Sequence, residues 1–174
     1  IRFKDKLERP SYRKKRQIVR VIYLSETWTI LLCFIVWMLI QVSAAIFCLR
    51  LPDSCLSPDS FFFKTHFFEK EGQIYDRFFR VRKWKQWLPD GGAVWKKRGF
   101  RKRNLKNFSP EYLNRFLIES VRGELTHWLA IIPFWVFGFF TPPGVVWIML
   151  LYALLVNLPC IITQRFNRPR LQRL

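Results

Sequence analysis

Acidic residues are scarce in this sequence. Asp and Glu together number 12 of 174 residues, against 30 Lys and Arg, for a net charge of +18. That imbalance implies an anionic partner: nucleic acid, lipid headgroups or a phosphorylated substrate. Cysteine is also sparse. Cys33, Cys48, Cys55 and Cys160 form no CxxC pair, which argues against structural zinc and leaves only a Cys48–Cys55 disulfide open. The chain has no GxSxG elbow, Walker loop, GxGxxG turn or HExxH helix, so the usual sequence marks of serine hydrolases, nucleotide binders and zinc proteases are missing.

What the chain does have is apolar sequence in long blocks. Hydrophobic residues make up 51% and charged residues 24%, and the two classes are segregated, as in membrane proteins. Trp28 to Leu49 is long enough to span a hydrocarbon core of roughly 30 Å. It follows a basic arm longer than a signal peptide carries, so it reads as an anchor that stays. Gln41 and Ser43 interrupt it and suit bonds to neighbouring helices. Leu51-Pro52-Asp53 breaks the helix. Two further blocks, Leu125 to Phe140 and Val145 to Thr163, flank Thr141-Pro142-Pro143-Gly144 and predict a helical hairpin whose first arm is short for a full span.

The expected fold is therefore an all-α integral membrane protein. Its parts are a basic arm (1–20), a membrane helix (21–50), a basic aromatic interfacial region (51–123), and a membrane hairpin with a basic tail (124–174), forming one domain overall. In the middle region, Phe61, Phe62, Phe63, Phe67 and Phe68 crowd beside Lys64 and Lys70, as rings among headgroups with snorkelling lysines would. Aromatics alternating with cations also suit single-stranded nucleic acid. Headgroups explain the same pattern, so anionic membrane lipids are the expected partner and no specific nucleic acid is. Asp90-Gly91-Gly92 is a turn, and Lys96 to Lys106 a second basic run. Ser109-Pro110-Glu111 reads as an N-cap with Pro at N1, opening an amphipathic helix toward Glu124. The basic middle and tail favour the cytoplasmic face of the cell membrane in a multi-pass protein. Three full spans would put the termini on opposite sides.

Ionisable groups at the edge of an apolar block are functional candidates. Glu124 and His127 share one helix face. A carboxylate can hold an imidazole in one tautomer and raise its basicity, and that imidazole can take a proton from a hydroxyl. If the turn centres between Pro142 and Pro143, His127 lies level with Leu158, near Asn157, and Arg122 with Thr163. Glu124, His127, Asn157, Gln164, Arg165 and Arg168 then converge at one membrane edge, either as a polar pocket with a cationic mouth or with Glu124 simply paired to Arg165 or Arg168 and His127 sitting in the interface. His66 and Glu71 have the spacing of an H-x4-acid acyltransferase motif, with Glu in place of Asp, a single match in a basic Phe-rich stretch.

Phe68-Glu69-Lys70, Val81-Arg82-Lys83-Trp84-Lys85, Asp90-Gly91, Arg122, Glu124-Leu125, His127-Trp128, Pro133, Asn157, Pro159 and the string Gln164-Arg165-Phe166-Asn167-Arg168-Pro169-Arg170-Leu171 occur in order. In these residues the chain resembles the glycosyl-4,4'-diaponeurosporenoate acyltransferase family of staphyloxanthin-type carotenoid biosynthesis, over 51–90 and 115–174. The long basic arm and the Lys96 to Lys106 run depart from that pattern, and His66 has no counterpart in it. The resemblance implies transfer of a fatty acyl group to a sugar hydroxyl of a glycosylated carotenoid acid, or of a related glycolipid. On that reading His127 is the general base and Glu124 orients it. Asn157 or Gln164 meets the oxyanion, and Arg122, Arg165, Arg168, Arg82 and Lys83 hold a phosphate-bearing acyl donor. No cofactor or metal is expected. The alternative reading is a non-catalytic membrane subunit that binds pigment or lipid among membrane protein partners.

Overall fold

The computed structural model describes residues 22, 24–88 and 109–174. The basic arm at 1–20, the Asp90-Gly91-Gly92 turn and the Lys96 to Lys106 run lie outside the described residues. Every regular element among those described is helical. Helix α1, Glu26–Arg50, starts with Glu26 in its first turn, where the helix dipole favours an acid. It stops at Leu51, extended because Pro52 follows. A connecting region of short turns holds α2, Gln73–Phe79, and α3, Val81–Trp84. Helix α4, Pro110–Ile131, opens as the sequence predicts: Ser109 Oγ accepts from Tyr112 N at 3.3 Å, with Pro110 in the first turn. It then runs past Glu124 without a break, so the expected boundary between 123 and 124 falls inside one helix. A tighter 3-10 segment, Ile132–Phe139, completes the short apolar block. Helix α5, Pro143–Leu171, carries Pro159 and Pro169 in its interior and continues through the basic tail.

Pairwise contacts set the directions of the helices. Trp37 stacks edge-on against Tyr152 at 5.2 Å, and Gln41 meets Asn157; numbers rise together, so α1 and α5 run parallel. Arg122 meets Cys48 and Leu51 while Phe139 meets Ile22, so the strand of chain from α4 to Phe139 runs antiparallel to α1. Trp37, Ile131, Phe137, Phe140, Ala153 and Ile161 form the main apolar core. A smaller core of Leu56, Phe63 and Val121 ties the connecting region to α4.

The Phe-rich stretch divides. Phe63 is buried, whereas Phe61, Phe62, Phe67 and Phe68 are exposed, with Lys64 over the Phe61 ring. α1 and α5 are long and apolar enough to cross a membrane by length and composition, and Phe34, Met38, Trp147, Leu151 and Leu155 face outward from them. All described cysteines are free, so the Cys48–Cys55 bridge is not formed.

Candidate functional site

α1, α4 and α5 each contribute one polar side chain to a point between them. His127 Nδ1 lies 2.8 Å from Asn157 Oδ1, and Gln41 Nε2 donates to the same oxygen at 3.4 Å. Asn157 Nδ2 donates to Ala153 O at 2.9 Å. This orients the amide, because its nitrogen is committed to a carbonyl and its oxygen must accept. His127 therefore carries its proton on Nδ1, and the neutral ring has its lone pair on Nε2. Asn157 is 1% exposed, so the pair is fixed by packing as well as by bonding. The level predicted for His127 opposite Asn157 matches the structure.

Glu124 takes the partners of the second alternative, Arg165 and Arg168. Its side chain is fully buried. Oε1 accepts from Arg165 Nε at 2.7 Å and from Trp128 Nε1 at 3.3 Å, and Oε2 from Arg168 Nη2 at 2.6 Å. A carboxylate in an apolar setting is driven to guanidinium groups, and Arg165 and Arg168 lie about two and three turns beyond Asn157 on α5. Arg165 also gives Nη1 to Glu69 Oε1 at 2.6 Å and Nη2 to Phe62 O at 2.8 Å. Arg168 gives Nη1 to Phe63 O at 2.6 Å. Glu69, 1% exposed, accepts a further bond from Tyr75 Oη at 2.8 Å. Burial raises the Tyr75 hydroxyl pKa above the ordinary phenol value, and the bond to Glu69 raises it further.

The remaining expected site residues are spread out. Arg122 points to the end of α1: Nη1 donates to Cys48 O at 2.5 Å and Leu51 O at 2.9 Å, Nη2 pairs with Asp53 at 2.5 Å, and Nε with Glu119 at 3.3 Å. It caps the carbonyl end of α1 and does not join Arg165 and Arg168. Gln164 is half-buried, and its side chain makes no hydrogen bond to another described residue. Arg82 and Lys83 are exposed at the far end of α5, with Arg82 paired to Asp76 at 3.0 Å. The H-x4-acid pair does not meet as a dyad, since His66 stacks on Phe68 and Glu71 pairs with Arg173.

Glu69 stood in the sequence only as part of the Phe68-Glu69-Lys70 string of the family pattern, and nothing marked it or Tyr75 as site residues. It saw Gln41 as a lone polar residue in an apolar block without placing it at the site. No group of His, Cys, Asp and Glu that could hold a metal ion occurs among the described residues.

A family model described as glycosyl-4,4'-diaponeurosporenoate acyltransferase matches residues 58–174. Curated proteins of that name from Staphylococcus aureus strains bovine RF122 / ET3-1, MRSA252 and USA300 are each 35% identical over 146 residues, covering 84% of this chain and 87% of theirs. No solved structure matches the chain. All of the site residues named above beyond α1, Leu51 and Asp53 fall within the matched region. The chain belongs to the glycosyl-4,4'-diaponeurosporenoate acyltransferase family and is an acyltransferase.

Proposed function

We propose that this protein is an integral membrane enzyme that esterifies a sugar hydroxyl of a glycosylated carotenoid acid, or of a related glycolipid, with a fatty acyl group. The observation that carries this reading is the 2.8 Å contact from His127 Nδ1 to Asn157 Oδ1 between two apolar helices. With Nδ1–H held by Asn157, Nε2 takes the proton from the sugar hydroxyl as its oxygen attacks the acyl carbonyl. The tetrahedral intermediate collapses, the bond to the donor's leaving group breaks, and that group takes the proton back from His127. Asn157 positions the base. Its amide is committed on both sides, so Gln41, which shares its oxygen, is the nearer donor for the oxyanion. Gln164 lies two turns along α5 from Asn157, roughly 10 Å away along the axis.

Glu124 acts on His127 indirectly, by locking α5 against α4. The outward apolar faces of α1 and α5 contact lipid acyl chains, and the same apolar surface suits a polyene. The basic middle and tail sit on anionic headgroups of the cytoplasmic leaflet of the cell membrane. The test is mass spectrometry of lipids from cells supplied with the glycosylated carotenoid acid. A product heavier by one fatty acyl group is expected from the native enzyme, with turnover about 10²–10⁴-fold lower in His127→Ala. A folded His127→Ala protein that turns over normally removes His127 from the reaction.

A further inference from the structure

Arg165 and Arg168 were the cations expected to hold the donor, but they are neutralised in place. Glu69 and Glu124 oppose them, carboxylate for guanidinium, in a buried cluster. The Arg115 and Arg122 pair is likewise matched by Asp53 and Glu119. Among the described residues, a further group of cations gathered on one buried ring has no matching set of carboxylates. Phe166, 1% exposed, lies near the end of α5. Lys85 Nζ sits 5.0 Å from its ring centroid and the Arg170 guanidinium carbon 3.4 Å from it.

Lys85 donates to Asn167 Oδ1 at 3.1 Å and Arg170 Nη1 to Phe166 O at 2.6 Å. These are neutral acceptors. Asp76 is the nearby acid, and both its oxygens are held by Arg82, through Nε at 3.0 Å and the backbone N–H at 3.2 Å. Burial lowers the Lys85 ammonium pKa below the ordinary lysine value, and Arg170 and Arg82 lower it further against the pull of Asp76. Cations gathered on one ring with a single carboxylate among them repel until an anion joins them.

The geometry points to Lys85 and Arg170, with Arg82 and Lys83 at the rim, as the binding site for the phosphate of a phosphopantetheine-type acyl thioester. The reasoning rests on His127 being the reacting end. Arg170 lies thirteen residues beyond Asn157 on one helix, about 20 Å along its axis. A phospholipid donor has only a glycerol unit between its phosphate and its acyl ester, too short to reach from one place to the other. A pantetheine thioester has an extended arm between phosphate and acyl carbon, which covers the separation.

The experiment is a calorimetric titration of the detergent-purified protein with coenzyme A, followed by initial rates with an acyl-coenzyme A donor. Coenzyme A is expected to bind the native protein and His127→Ala equally, and Lys85→Gln/Arg170→Gln at least tenfold more weakly. The donor KM should rise by a similar factor in that double variant, with the acceptor KM unchanged, and Lys85→Arg should retain the native affinity. Arg82→Gln, at an exposed position, should weaken binding about threefold if the double variant fails to fold. Absence of coenzyme A binding to the native protein, or binding indifferent to these substitutions, overturns the assignment. So does the finding that phosphatidylglycerol vesicles, and not coenzyme A, distinguish native from variant protein, which would make the site a lipid headgroup site. Normal turnover by His127→Ala with variant-sensitive coenzyme A binding would instead strike at the proposed base and leave the anion site standing.

Discussion

At Asn157 a single amide sets the protonation geometry of its neighbour. The group is uncharged, so it selects the Nδ1–H tautomer of His127 without adding a charge to an apolar setting. Replacing it with Leu keeps the volume and removes the acceptor. We expect kcat to fall about 10- to 100-fold in Asn157→Leu, equivalent to about 1–3 kcal/mol, with donor KM little changed; steady-state kinetics decide it. Tyr75 offers a test at alkaline pH. Its hydroxyl is raised above an ordinary phenol by burial and by Glu69, so the folded value exceeds the unfolded value of about 10. A group shifted in that direction contributes its stability fully below about pH 10 and loses it as pH rises toward the folded value. Denaturant melts between neutral pH and pH 11 should therefore show a smaller alkaline loss of stability in Tyr75→Phe than in the native protein. An equal loss in both removes Tyr75 from the balance.

Between elements, charge does the joining that apolar packing does elsewhere. Arg165 links Glu124 on α4 to Glu69 in the connecting region, and Glu124→Gln leaves Arg165 and Arg168 short of a counter-charge in a buried place. Breaking such a pair costs about 3–5 kcal/mol, so a large drop in thermal midpoint is expected in Glu124→Gln. Gly72 makes the approach to α5 possible. Its φ is +83°, and a Cβ there would lie 3.1 Å from Phe166 O. Gly72→Ala should lose at least about 1–2 kcal/mol, read by the same melts, and a neutral result would mean that the turn relaxes.

The helices α1 and α5, the Ser109 cap and the facing of His127 and Asn157 were legible in the sequence, because apolar length, capping residues and helical spacing encode them directly. The choice between His127 and the two arginines as partner of Glu124 was left open, and the departure of Arg122 to the end of α1 and the role of Glu69 were not legible. Each depends on which guanidinium group reaches a carboxylate through space, and a chain with many more cations than acids leaves that choice open. The continuation of α5 beyond Thr163 and through Pro169 was also hidden, since proline ordinarily ends a helix.

For the whole molecule, parallel α1 and α5 joined through an antiparallel α4 place Ile22 at the turn end and the tail at the basic end. In sealed membrane vesicles a membrane-impermeant maleimide should therefore reach only one of Ser25→Cys and Gln172→Cys, both exposed positions, with the modified peptide identified by mass. Labelling of both from one side would contradict a crossing arrangement. The pairing of Glu124 with Arg165 also bears on how the chain is made. The two are 41 positions apart and the acid comes first, so a ribosome completes α4 while both of its guanidinium partners are still unmade. At that stage α4 carries a bare carboxylate that lipid does not accept. If the protein enters a bilayer as proposed, helix α4 should wait at the insertion machinery for α5, so that the two enter together as a neutralised pair.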